Sequence, residues 1–117
     1  MTLICNDPAK IHDLFIAALL DRNIDNAISL YHPDAEFVRA PGGSVKGKEE
    51  ISACLLAFMG VASNMTLISR NMYVSGDVAL VRMGWKMKGA EEYVAMDLLR
   101  RLEDGRWVFQ IDNPYGQ

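Results

Sequence analysis

The chain has 117 residues, half of them hydrophobic and 23% charged, with a formal net charge of −3. That is the length of one domain, with enough apolar material for a core and too much for disorder, so 1–117 reads as a single domain. The 12 basic residues are scattered, which leaves no footprint for nucleic acid, and no run approaches the ~18 apolar residues of a membrane span.

Asp7-Pro8 opens the first helix, Asp as N-cap and Pro at the first helical position. Ile11, Leu14, Phe15, Ala18 and Leu19 then form one apolar helical face, ending near Asp21-Arg22. Asn23 caps a short second helix, with Ile24, Ala27, Ile28 and Tyr31 at helical spacing and Pro33 as its stop. Ala35 to Ala40 reads as extended, and Pro41-Gly42-Gly43-Ser44 breaks it. Gly47 precedes a third helix carrying Ile51, Cys54, Leu55, Phe58 and Met59 on one face. Glu49 and Glu50 sit in its first turn, where the helix dipole favours negative charge, and Gly60 ends it.

From Met65 the period changes to two. Met65–Val74, Val78–Met87, Tyr93–Leu102 and Arg106–Asn113 are candidate strands, separated by Ser75-Gly76-Asp77, Lys88-Gly89-Ala90 and Asp104-Gly105. Helices first and a meander afterwards predict an α+β fold, three N-terminal helices covering one face of an antiparallel sheet.

Asp97 is the most informative residue. Aspartate is disfavoured in strands, yet this one is embedded in Val94-Ala95-Met96-Asp97-Leu98-Leu99. If Asp104-Gly105 is a two-residue turn, Glu103 pairs with Arg106, Leu99 with Gln110 and Asp97 with Asp112. Directly opposed residues share a face, with Cβ atoms about 4.5–5.5 Å apart. Two carboxyls so placed cannot both ionise easily, which suits acid–base work or a hydrogen bond from a protonated acid. The alternative is that Asp97 pairs with Arg82 or Arg101 on a solvated face and Asp112-Asn113-Pro114 only ends a strand. Arg39 reads either as a surface residue or as the anchor of an anionic ligand. His32 suits turn duty, His12 reads as solvated on the polar side of its helix, and Trp85 and Trp107 read as core or interface residues. Cys5 and Cys54 form no CxxC pair, and no phosphate loop, HExxH or histidine pair at metal spacing appears, so neither metal nor cofactor is expected. Met1 to Ile4 is too short for the apolar part of a signal peptide, and the thiols read as reduced, which points to the cytoplasm.

The phrases Leu30-Tyr31-His32-Pro33-Asp34-Ala35-Glu36-Phe37, Gly47-Lys48-Glu49-Glu50-Ile51 and Asp104-Gly105-Arg106-Trp107, in this order after and between helices, resemble the nuclear-transport-factor-2-like superfamily. Within it the chain is similar to SnoaL-like and ketosteroid-isomerase-like bacterial proteins, from about Ile11 to Asn113. The resemblance implies a cone, with a strongly curved sheet wrapped round the helices, a cavity at its wide end, and homodimers through the outer sheet face. It also implies small-molecule chemistry of isomerase, dehydratase or hydrolase type, or binding without catalysis. Asp97 falls where ketosteroid isomerases keep a protonated aspartate. Phe15 stands at their tyrosine position, and Arg39 or Ala40 at their general base, so steroid isomerisation is not implied. Asp97 and Asp112 are thus the candidate catalytic groups. Phe15, Leu19, Tyr31, Arg39, Met59, Leu99 and Gln110 are the candidate ligand contacts. The expected partner is a small molecule, besides a second copy of the chain.

Overall fold

The computed structural model describes residues 3–117; residues 1 and 2 of the span expected to form one domain lie outside them. Asp7 accepts the Ala9 N–H at 3.0 Å and starts a 3-10 turn, Pro8–Lys10, that runs into helix α1, Ile11–Leu20. Arg22 breaks α1 with a positive φ of 55°. Asn23 then caps α2, Ile24–Ser29, by accepting the Asn26 N–H at 3.0 Å. Gly47, at φ 88°, sets up α3, Lys48–Met59, a backbone that a residue with Cβ enters only with strain.

Six strands follow the helices or lie between them: β1 Tyr31–Ala40, β2 Gly43–Lys46, β3 Met65–Ser75, β4 Val78–Met87, β5 Glu92–Arg101 and β6 Trp107–Asp112. They form one curved, unclosed sheet in the order β2-β1-β6-β5-β4-β3. The fold is α+β, as the helix-then-meander pattern predicts. Two details differ. Tyr31 begins β1 instead of ending α2, and β2 forms where a break is expected, because Gly42 at φ 77° turns the chain back onto β1. The sheet is also not wholly antiparallel, since β1 and β6 run parallel.

Register decides which side chains face the helices. On β4, Ala79, Val81, Met83 and Trp85 point inward, paired with Leu99, Asp97, Ala95 and Tyr93 of β5. The core joins these to Ile11, Phe15 and Leu19 of α1, Ile51 and Leu55 of α3, and Tyr31, Phe37 and Phe109. A fully buried side chain of this size contributes about 1.5–3 kcal/mol over its exposed state. The helices are therefore held by the sheet's concave face more than by their own propensity, α2 having only 6 residues. No helix among the described residues is long and apolar enough to cross a membrane.

The β5–β6 hairpin differs from the expected two-residue turn. Leu102 donates its N–H to Arg106 O at 2.8 Å, so the loop is Glu103-Asp104-Gly105, with Gly105 at φ 91°. Three-residue loops of this kind carry a left-handed glycine at the end of the turn. Leu99 consequently faces Phe109, not Gln110. A β-bulge then adds one residue to β6, so that Leu98 faces Ile111 and the Met96 N–H reaches Asn113 O at 2.9 Å. The longer turn and the bulge offset each other, and Asp97 and Asp112 end on neighbouring strands with their side chains inside the cone.

A buried carboxyl pair beneath the first helix

Asp97 is 2% exposed and Asp112 7%. Each carboxyl is held by named donors. Asp97 Oδ1 accepts the Asn113 N–H at 2.9 Å, and its Oδ2 lies 2.7 Å from His12 Nε2. Asp112 Oδ2 accepts the Tyr31 hydroxyl hydrogen. His12, from α1, is 3% exposed and sets its ring edge against Phe109, with centroids 5.3 Å apart. The four groups form one buried row, His12–Asp97–Asp112–Tyr31, that ties α1 to three neighbouring strands.

The surroundings decide where the protons sit. Burial pushes the His12 imidazole down to about 4, against the pull of Asp112. Nδ1 of His12 is buried without a hydrogen-bond partner. An imidazolium would leave an unsatisfied N–H there, so the neutral ring, with its hydrogen on Nε2 and donated to Asp97, is the form that fits. Burial raises Asp97 to about 6, the Asn113 N–H and a hydrogen bond from Asp112 working the other way. Asp112 is raised further above the usual carboxylate range by burial and by the charge on Asp97. Tyr31 is pushed up in turn by burial and by Asp112. Burial therefore favours neutral His12, neutral Tyr31 and a protonated Asp112, and Asp97 is the carboxyl that ionises, at about 6. An accepting carboxylate thus adjoins a protonated acid, which is a proton-transfer pair.

This pair borders a small cavity. It leaves about 40 Å³ for the centre of a water-sized sphere, and Phe15, Phe37, Phe58, Trp85 and Phe109 dominate its wall. Pro114 closes one side, held by a 2.7 Å hydrogen bond from Trp85 Nε1–H to its carbonyl. Among the described residues, no group of three or more His, Cys, Asp or Glu side chains could hold a metal ion.

The residues singled out in the sequence are distributed unevenly about this cavity. Asp97, Asp112, Phe15 and Leu19 line it. Tyr31 stands behind Asp112, its ring 5.0 Å from Phe109. Leu99 and Met59 are buried in the core and do not line the space. Gln110 is the added residue of the β6 bulge; it faces outward and accepts the Arg100 Nε–H at 3.0 Å. Arg39 is exposed, at the register slip between Val38 and Ala40, and lines a separate open groove between β1, β2 and α3 with Phe37, Val45, Glu50 and Cys54. None of those four lines the cavity beside Asp97. Arg101 pairs with Asp77 and not with Asp97, and His32 accepts the Asp34 N–H at 3.0 Å in a turn. The solvated reading of His12 is wrong. The signal was present: His12, Phe15, Ile16 and Leu19 stand at i, i+3, i+4 and i+7, one stripe of α1.

The family model for the SnoaL-like domain matches residues 13–110, and the chain belongs to that family. No curated protein sequence matches it. Among solved structures it is similar to a Shewanella frigidimarina protein provisionally named a ketosteroid isomerase. The two share 19% identity over 92% of this chain and 94% of that one, with a TM-score of 0.79. A nuclear-transport-factor-2-like protein of unknown function from Pseudomonas putida matches at 23% identity over 89% and 80%, TM-score 0.70. A Streptomyces avermitilis protein of the same family, provisionally named a dehydratase, matches at 15% identity over 90% of each chain, TM-score 0.68.

Proposed function

We propose that this SnoaL-like domain binds a small, largely apolar molecule beneath α1 and moves a proton on it with Asp97 and Asp112, without metal or cofactor. The observation that carries this reading is the buried carboxyl pair in an otherwise aromatic wall. Burying two carboxyls costs several kcal/mol unless each is compensated, and a fold has no stability reason to keep them. Asp97 is the base, since its carboxylate is ionised near neutrality and borders the cavity. Asp112 is the acid that reprotonates it, oriented by Tyr31. His12 is a positioning residue, holding Asp97 Oδ2. Isomerase and dehydratase are the names given to two structural neighbours, and both classes of reaction include a proton transfer, with a dehydration also releasing the hydroxyl as water. Steroid isomerisation itself is disfavoured by Phe15 and by Arg39, which does not line the cavity. The two free thiols, Cys5 and Cys54, suit a reducing compartment such as the cytoplasm.

The test is to screen small apolar compounds while following the Trp85 indole N–H by NMR. A ligand of this site shifts that signal, and Asp97→Asn weakens its binding or turnover at least tenfold. Ligands that bind without moving Trp85, or equally well in the variant, would falsify the reading.

The size of the cavity favours a second reading, a noncatalytic module that associates with a second copy. About 40 Å³ is room for roughly three waters. Meanwhile Tyr73, Leu80, Leu98 and Ile111 pair across four strands in one apolar row on the convex face. Leu80→Glu, measured by sedimentation, separates the readings. A dimer that falls apart supports association through this face, and a monomeric parent removes it.

A further inference from the structure

Hydrogen-bond accounting in the cavity specifies what an occupant must bring. Every donor placed there is already spent. The Asn113 N–H, the His12 Nε2–H and the proton of Asp112 go to Asp97, the Tyr31 O–H to Asp112, and the Trp85 N–H to Pro114 O. What remains is acceptor capacity: the second lone pairs of the Asp97 and Asp112 carboxyl oxygens, and Nδ1 of His12, which has no partner at all. Five aromatic rings line the same wall. Among the described residues lining it there is no lysine or arginine. A carbonyl or carboxylate entering this space would find a donor only by drawing the Asp112 proton away from Asp97.

We infer that the occupant is a small primary amine, bound as its ammonium ion. Its N–H groups are donated to the Asp97 and Asp112 carboxyls, and its carbon tail lies against Phe15, Phe58 and Trp85. The inference rests on the site reading above and names its ligand class. Three features meet in this one chemistry. An ammonium supplies three donors where only acceptors are free. Its charge offsets the buried carboxylate that otherwise stands alone. Aromatic faces attract a cation by about 0.5–2 kcal/mol each, most strongly when water is excluded. The volume sets the size. Room for roughly three waters fits an amine head with one to three carbons. A longer tail requires the Asn113–Tyr115 segment, which Pro114 anchors over the cavity, to move aside.

The experiment titrates the intact protein with four probes of similar size, ethylammonium chloride, ethanol, acetone and sodium acetate, at matched ionic strength. The readouts are the Trp85 indole and Asn113 amide NMR signals, the latter because its N–H binds Asp97. Ethylammonium should saturate both shifts with a dissociation constant at least tenfold below those of the other three. Asp97→Asn should raise that constant at least tenfold. If the variant does not fold, the selectivity of the parent protein decides alone. Tighter binding of acetone or acetate at the same signals overturns the amine assignment and leaves the ligand site standing. No shift with any probe overturns both.

Discussion

Replacing Asp112 by Asn should remove a pH slope from the stability of this protein. The folded state holds the Asp112 proton well above the ordinary carboxylate range, chiefly through burial. The unfolded chain releases that proton above pH 3.8. Above this pH the folded state therefore binds one proton more than the unfolded state, and stability falls as pH rises, by about 1.4 kcal/mol per unit. The neighbouring pair does not obscure this. Asp97, raised from 3.8 to about 6, loses stability with rising pH across that window. His12, lowered from 6.5 to about 4, gains it over nearly the same window. One proton moves from the histidine of the unfolded chain to the aspartate of the folded one, and the two slopes cancel. The Asp112 contribution is thus present at low pH and is lost as pH rises from 3.8 through the raised folded value. The asparagine side chain would keep both hydrogen bonds, its amide donating to Asp97 and its oxygen accepting from Tyr31, but it cannot titrate. Urea denaturation at a series of pH values above 3.8, with an m-value of about 2 kcal/mol/M, should show the midpoint of the parent falling relative to Asp112→Asn by about 0.7 M per pH unit while Asp112 stays protonated in the folded state. Parallel pH profiles for the two proteins would mean that Asp112 is not held protonated, and the proton-transfer pair would be lost with it.

Tyr31→Phe leaves Asp112 Oδ2 buried without its donor and should cost about 1–3 kcal/mol by urea denaturation, far more than the removal of an exposed hydroxyl. His12→Phe keeps the apolar stripe of α1 but strips Asp97 of one donor; the Asp97 carboxyl, followed by carbon NMR, should then titrate above about 6. Gly116→Ala places a methyl at φ 67° and against the Val94 carbonyl, so the segment over the cavity should lift. Faster hydrogen exchange at the Trp85 indole, with the rest of the sheet unchanged, is the expected sign. Arg39→Ala should change stability by less than about 0.5 kcal/mol. Salt-sensitive carboxylate binding that disappears in this variant would instead restore Arg39 as an anion anchor.

The helices are legible in the sequence because their apolar residues recur at helical spacing and their caps stand in plain view: Asp7, Asn23 and Gly47. The meander is legible from its turns. Strand β2 is not, since Gly43-Ser44-Val45-Lys46 has neither length nor β-branched density, and it exists only because β1 supplies a partner. Tyr31 sits at helical spacing from Ala27 and Ile28, yet tertiary pairing with Phe109 takes it into the sheet. The inward placement of Asp97 can be read from its apolar neighbours. The outward placement of Gln110 cannot, because a bulge leaves no mark in the sequence around it. His12 misleads through its residue type, although its position on the α1 stripe marks it as buried.

The bulge at Gln110 bears on how this chain is compared with its relatives. Loop lengths in hairpins drift by single residues, and a residue lost at the Glu103–Gly105 loop can be absorbed without disturbing anything beyond the bulge. A single residue lost between Trp107 and Asp112 removes the bulge and still leaves Asp112 opposite Asp97, whereas a second loss would swing the second carboxyl through the sheet to the solvent side. Alignments counted from the hairpin tip will therefore assign the wrong column to the acid in some homologues. Counting backward from Asn113-Pro114 avoids that error and gives a fair count of how many relatives keep both carboxyls.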